Sequence, residues 1–228
     1  MLGYYVYFVC CPTKALGNRS FVSGVEAPDL LKKYYEIYNG SKGAAIRFNR
    51  WRGRYTPEYK ELEKRVEQKK SIGSTDGLHY GLSTNPDVRV YWDGLDEVKK
   101  AKFETFYRGY AWHLLTDKLI YNRLDIEKKL KKELEENKEH VSRRRLKKMQ
   151  AKKLRNDWRI VNSLIKKTYP DVKLPYEIRS INLVKYAEGE LVYVDWEVLK
   201  KTIDYLRAFD SLNGDMDRII KKVLKKIK

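Results

Sequence analysis

Cysteine is almost absent from this chain of 228 residues: there are two, adjacent at Cys10 and Cys11. Neighbouring cysteines rarely bridge each other, and no CxxC spacing occurs, so neither a disulfide framework nor a structural zinc site organises the fold. Histidine is also scarce. His79, His113 and His140 are far apart and show no metal-binding spacing. The apolar start, MLGYYVYFVCC, has no basic segment ahead of it and is too short to span a bilayer. An intracellular protein, cytoplasmic or nuclear, with no membrane association is expected. The most informative shortage is acid. There are 31 Asp and Glu against 49 Lys and Arg, a formal net charge of +18. A thermophile-type surface raises Glu together with Lys, and here Glu does not keep pace. The partner that follows is a polyanion, nucleic acid before membrane.

Enough is present to build a core. Hydrophobic residues make up 42%, with 18 Tyr and 5 Trp, so disorder is not the default. Gly3 to Cys11 is rich in Tyr, Val and Phe and reads as a buried strand. RSFVS, Arg19 to Ser23, reads as a second strand forming a hairpin with it. Pro28 and Asp29 open a helix with Leu30, Leu31, Tyr34, Ile37 and Tyr38 on one stripe, and Asn39-Gly40 stops it. VRVYW, Val88 to Trp92, alternates and reads as a third strand. A helix then runs from Glu97 to about Leu115, with Val98, Ala101, Phe106, Tyr110 and Leu114 on its buried side.

From Leu124 the composition changes. Asp125 to Lys167 lacks Gly and Pro and is dominated by Lys, Arg, Glu and Leu. It reads as one long helix, or two helices kinked near Asn137. Ser180 to Tyr186 and Leu191 to Asp195 read as a small hairpin, followed by two helices separated at Asn213-Gly214-Asp215. The division expected is residues 1–123, with an insertion at 52–86, and a basic helical C-terminal region at 124–228.

YNGSKGAAIRFNR, Tyr38 to Arg50, places two glycines and small alanines ahead of Arg47 and Arg50. It is not a nucleotide P-loop, because GxxxxGK[ST] is absent and the loop follows a helix instead of opening one. Small residues let a phosphate backbone approach, and Lys42, Arg47, Arg50 and Arg52 would neutralise it. A plain helix-stop turn with solvated cations is the competing reading.

Four segments in order resemble the GIY-YIG nuclease superfamily: YYVYFVCCP (Tyr4 to Pro12), SFVSG (Ser20 to Gly24), DLLKKYYEIYNGSKGA (Asp29 to Ala44) and WDGLDEVKKAKFETF (Trp92 to Phe106). The nearest branch is the structure-selective subunit that cuts branched DNA beside a scaffold protein. The resemblance implies an α+β fold, a small three-stranded sheet flanked by helices, followed by the mostly helical basic region. It also implies metal-dependent hydrolysis of DNA with Mg²⁺ or Mn²⁺. On that alignment Tyr7 is the proton relay, Lys33 stands nearest the phosphate-holding arginine, Tyr38 could take a proton, and Glu104 holds the single metal. The chain departs from the pattern at the second motif tyrosine, where Phe21 or Val22 stands, and at the helix arginine, where Lys32 and Lys33 stand. Lysine neutralises phosphate but cannot grip it bidentately. The cysteine-rich zinc domain of the branched-DNA subunits is missing, which puts the usual scaffold pairing in doubt.

The run RRRLKKMQAKKLR forms a dense positive face of Arg143, Arg144, Arg145, Lys147, Lys148, Lys152, Lys153 and Arg155. Trp158 on its apolar stripe is expected in the core. Three functions are consistent with these features: a metal-dependent endonuclease, a degenerate GIY-YIG-like domain that binds nucleic acid without cutting it, and a basic protein docking on RNA in a larger particle.

Overall fold

A computed structural model describes residues 4–38, 80, 85–137, 141–174 and 184–227. No β-strand occurs among them. The elements are α1 (Tyr4–Val9), α2 (Thr13–Leu16), α3 (Arg19–Tyr38), α4 (Val88–Asp93), α5 (Glu97–Leu124), α6 (Ile126–Glu136), α7 (Arg143–Thr168), α8 (Trp196–Arg207) and α9 (Met216–Leu224). The expected α+β fold with a three-stranded sheet is therefore overturned. All three expected strands of that sheet are helical.

The reasons are local. Tyr5 to Cys11 is buried without interruption, and a short apolar run buried on every side has no period that separates strand from helix. The side chain of Asn18 accepts from the Phe21 amide at 3.0 Å, a cap at the start of a helix. RSFVS is consequently the first turns of α3, and Pro28 lies inside that helix instead of opening it. Asp87 caps α4 by accepting from the amides of Arg89 and Val90. The buried residues Val88, Tyr91 and Trp92 then fall at helical spacing. In both segments the capping side chain and tertiary burial outweigh the β-propensity of Val, Tyr and Trp. Of the expected hairpin near the C-terminus, residues 191–195 are irregular, and most of its first arm lies outside the described residues.

α5 is the centre of the molecule, packing on α3, α4, α6, α8 and α9. It contributes Phe106, Tyr110, Trp112, Leu114, Leu115 and Leu119 to the core, all buried. Each such side chain contributes about 1.5–3 kcal/mol by leaving water. Non-helical geometry at Phe103 marks a kink. Val98, ahead of that kink, is 78% exposed and not on the buried side as its spacing suggests.

The contact between α3 and α5 depends on two glycines. A Cβ built on Gly24 would lie 2.0 Å from the Phe106 carbonyl oxygen, and one on Gly109 would lie 2.1 Å from that of Phe21. Backbone meets backbone there, and no side chain fits between.

α5 ends at Leu124, and Asp125 takes a left-handed conformation (φ 51°) that turns the chain into α6. The break between α6 and α7 follows Asn137, as the two-helix alternative has it. Side chains from both sides of Leu124 share one hydrophobic core. The Tyr5 hydroxyl donates to the Val172 carbonyl at 3.1 Å, and Arg207 donates to the Val9 carbonyl at 3.2 Å. No described helix is long and apolar enough to cross a membrane.

Candidate nucleic-acid interface

The first half of α7 is a ridge. Between Arg143 and Asn156 only Leu146 and Gln150 are buried. Gln150 lies on the seam with α6, where it donates to the Leu130 carbonyl (2.8 Å) and to Glu133 (3.1 Å). Lys153, counted on the positive face from sequence, belongs to this seam instead: its ammonium meets Glu133 at 2.6 Å. The second half of α7 turns inward, burying Asp157, Trp158, Ile160, Val161, Asn162 and Ile165. Trp158 is core, as its stripe position implies.

On the outer side Arg143, Arg144, Arg145, Lys147, Lys148, Lys152 and Arg155 are exposed. Arg144, Lys147, Lys148, Lys152, Arg155 and Arg159 stand around Ala151 and enclose an open depression of about 830 Å³. Small Ala151 leaves this space at the middle of the ridge. Arg155 is steadied by donating to the Ala151 carbonyl at 3.1 Å. Among the described residues no carboxylate lies within ion-pairing distance of these six cations. The contrast is with α6, where Lys131 pairs with Glu127 and Lys132 with Glu136.

The start of α7 breaks a helix rule. Its first turn holds no acid, and Ser142 at the cap position makes no side-chain capping bond. Arg143, Arg144 and Arg145 occupy that turn. The N-terminus of a helix carries a partial positive charge and open amide donors, and it favours anions by about 0.3–1 kcal/mol each. Three arginines there are disfavoured by the helix dipole and by one another.

The residues expected to catalyse are distributed differently. Tyr7 is buried in α1. Its hydroxyl donates to Asp117 Oδ1 at 2.7 Å, and its ring stacks on His113 with centroids 4.0 Å apart. Burial and the charge of Asp117 push the Tyr7 phenol well above the ordinary tyrosine value, keeping it a neutral donor. His113 Nδ1 donates to the Val25 carbonyl at 2.7 Å, and its Nε2 lies 3.3 Å from Asp117 Oδ2. Burial and the acids Asp117 and Asp29 likewise push the Tyr121 phenol up. This polar knot locks α1 and α3 onto α5 inside the core.

Glu104 lies elsewhere on α5, half exposed and paired with Arg108 at 2.7 Å. Arg108 in turn donates to the Gly214 carbonyl at 2.6 Å, tying α5 to the turn before α9. Glu104 and Asp117 are separated by a stretch of helix about 20 Å long at 1.5 Å per residue. The structure therefore does not bring the Tyr7 hydroxyl and Glu104 together. Lys33 and Tyr38 belong to the C-terminal part of α3, and their side chains lie outside the described residues, as do Lys42, Arg47, Arg50 and Arg52 altogether. Among the described residues no group of three His, Cys, Asp or Glu side chains is placed to hold a metal ion such as Mg²⁺ or Mn²⁺.

Of the expected binding residues, Arg143, Arg144, Arg145, Lys148 and Lys152 are all exposed along the first half of α7. The structure adds Arg159 to them, one turn beyond Arg155, a spacing visible in the sequence once α7 is known to continue without a break. Comparison with known proteins found no matching family model, no similar curated protein and no similar solved structure.

Proposed function

We propose that this protein binds nucleic acid through the outer face of α7. The observation that carries the reading is the cluster of three arginines at the positive end of that helix. It continues into Lys147, Lys148, Lys152, Arg155 and Arg159, with no described carboxylate beside them. An arrangement that costs stability in the free protein is expected at a functional surface. Phosphates relieve it by supplying charge to the guanidinium groups and to the helix terminus at once. The net charge of +18 draws a polyanion in from a distance.

The nuclease expectation came with a sheet that the described chain does not contain, and no feature of the α7 face supplies phosphodiester chemistry. Binding is the activity the geometry supports. The test is fluorescence anisotropy of a short labelled duplex across a salt series. Each phosphate contact contributes about −0.9 to the log–log slope, so the eight cations of the ridge, the first-turn arginines included, give roughly −7. A quadruple variant, Arg144→Gln, Lys148→Gln, Lys152→Gln and Arg155→Gln, is expected to reduce that slope to about −4 with its melting temperature unchanged. An unchanged affinity and slope in a folded variant would refute the assignment. Gel analysis of the same samples with Mg²⁺ or Mn²⁺ on linear, flap and four-way-junction DNA reads any cleavage directly.

A further inference from the structure

The distribution of charge around α7 carries information beyond its total. At about 100° per residue, the consecutive residues Arg143, Arg144 and Arg145 point in three directions spanning roughly 200°. The pattern continues along the ridge. Lys147 lies one turn after Arg143 on one flank, and Lys152 lies two turns after Arg145 on the other. Arg144, Lys148 and Arg155 follow the crest between them, with Ala151 beside it. All these cations are exposed. The ridge is thus a convex rod with positive charge on both flanks and along its top.

A flat anionic surface or a single phosphate row can engage only one side of such a rod. A groove with an anionic wall on each side engages all of it. The major groove of B-form DNA is about 12 Å wide and admits an α-helix, whose diameter with side chains is about 10–12 Å. The A-form RNA major groove is too deep and narrow for side chains to read. Single strands are usually held by aromatic platforms on which bases stack, and no aromatic residue lines the α7 depression. Trp158, the nearest candidate, is buried. From Arg144 to Arg159 the ridge runs about 22 Å, a length along which both phosphate rows of a duplex are within reach.

Resting on the binding role proposed above, we infer that α7 seats in the major groove of duplex DNA, with Arg143 and Lys147 on one phosphate row and Arg145 and Lys152 on the other. The full-length protein tests this with four probes at matched salt: a DNA duplex, its single strand, an RNA duplex of the same sequence, and phosphatidylserine–phosphatidylcholine vesicles. The DNA duplex is expected to bind at least about tenfold more tightly than either other nucleic acid, and vesicles are expected to bind weakly. Two flank variants sharpen the result. Arg143→Gln with Lys147→Gln, and Arg145→Gln with Lys152→Gln, should each reduce the magnitude of the duplex salt slope by about 2. The combined variant should lose the sum. Equal binding of single-stranded and duplex DNA, a preference for RNA or vesicles, or an effect confined to one flank overturns the groove assignment while leaving α7 as the binding face. No binding to any nucleic acid overturns the binding role itself.

Discussion

The Tyr7 hydroxyl donates to Asp117 Oδ1 at 2.7 Å across the buried contact of α1 with α5. A phenol so placed holds structure together. Tyr7→Phe keeps the ring on His113 but leaves a buried carboxylate oxygen without this donor. The expected loss is about 1–3 kcal/mol of unfolding free energy, read as a lower urea midpoint at constant m-value. DNA affinity below the melting temperature should not change. Glu104→Ala, by contrast, breaks a half-exposed pair and is expected to cost under about 1 kcal/mol. The comparison discriminates, because residues of one catalytic site would instead alter activity together with little change in stability.

The crossing of α3 and α5 gives a second prediction. A methyl group on Gly109 would lie 2.1 Å from the Phe21 carbonyl oxygen, and backbone cannot swing aside as a side chain can. Separating the helices exposes Phe21, Val25 and Phe106 to imperfect packing. Gly109→Ala is expected to destabilise by about 3 kcal/mol or more, at or above the upper end of ordinary overpacking. Gly17→Ala is the control. Its added carbon would sit 3.6 Å from the Lys14 carbonyl, an ordinary contact, and its backbone is right-handed helical. Thermal denaturation of the two variants side by side checks the contrast.

Some of this architecture could be read from the chain and some could not. The break near Asn137, the core position of Trp158 and the start of α8 just after its cap Asp195 follow from spacing and capping chemistry that act within a few residues. Asp195 does accept from the Val198 amide. YVYFV, Tyr5 to Val9, could not be assigned the same way, because complete burial removes the period that distinguishes helix from strand. VRVYW shows the opposite failure. Its alternation was real, but the signal that decided the outcome was Asp87 immediately before it. Gly24 and Gly109 are far apart in sequence, and nothing local to either one announces that they meet. At the candidate site, the cations were legible as composition. That Lys153 leaves the face for Glu133 while Arg159 joins it depends on where α6 packs.

Asp157 supports a third prediction. This buried carboxylate at the inward turn of α7 accepts from the backbone amides of Val192, Tyr193 and Val194 at 2.6–3.2 Å. Those residues belong to an irregular stretch with no helix or strand to satisfy their amides. Asp157 therefore organises the approach to α8. Asp157→Ala leaves several amides without an acceptor and is expected to cost about 3 kcal/mol or more, since each buried unsatisfied group costs about 1–3 kcal/mol. Limited proteolysis should show early cleavage between residues 184 and 195 in the variant and not in the parent. Asp157→Asn, which retains one carbonyl oxygen, should fall between them.

Glu133 supplies the pH dependence. Partial burial pushes its carboxyl up, but hydrogen bonds from Lys153, Tyr193 and Gln150 outweigh it and hold the value below the ordinary 4.5. Tyr193 remains a donor throughout, because burial and Glu133 itself push its phenol up. A carboxyl whose value is lowered on folding stabilises the native state fully above its unfolded value. It loses that contribution as pH falls through the lowered native value. Glu133→Gln has no such titration and retains an acceptor for the tyrosine. The parent should therefore exceed the variant by about 1–3 kcal/mol at neutral pH, and the gap should hold down to about the ordinary glutamate value. Below that it should narrow as the native carboxyl takes up its proton. Urea midpoints at stepped pH measure it. A gap that is constant through the acid range would mean that the interactions with Lys153, Tyr193 and Gln150 do not depend on the charge of Glu133. A gap that widens on acidification would reverse the sign of the shift. The seam between α6 and α7 is the element at stake, because Gln150 and Lys153 anchor the ridge there. Acidification should accordingly loosen the mounting of the cationic face.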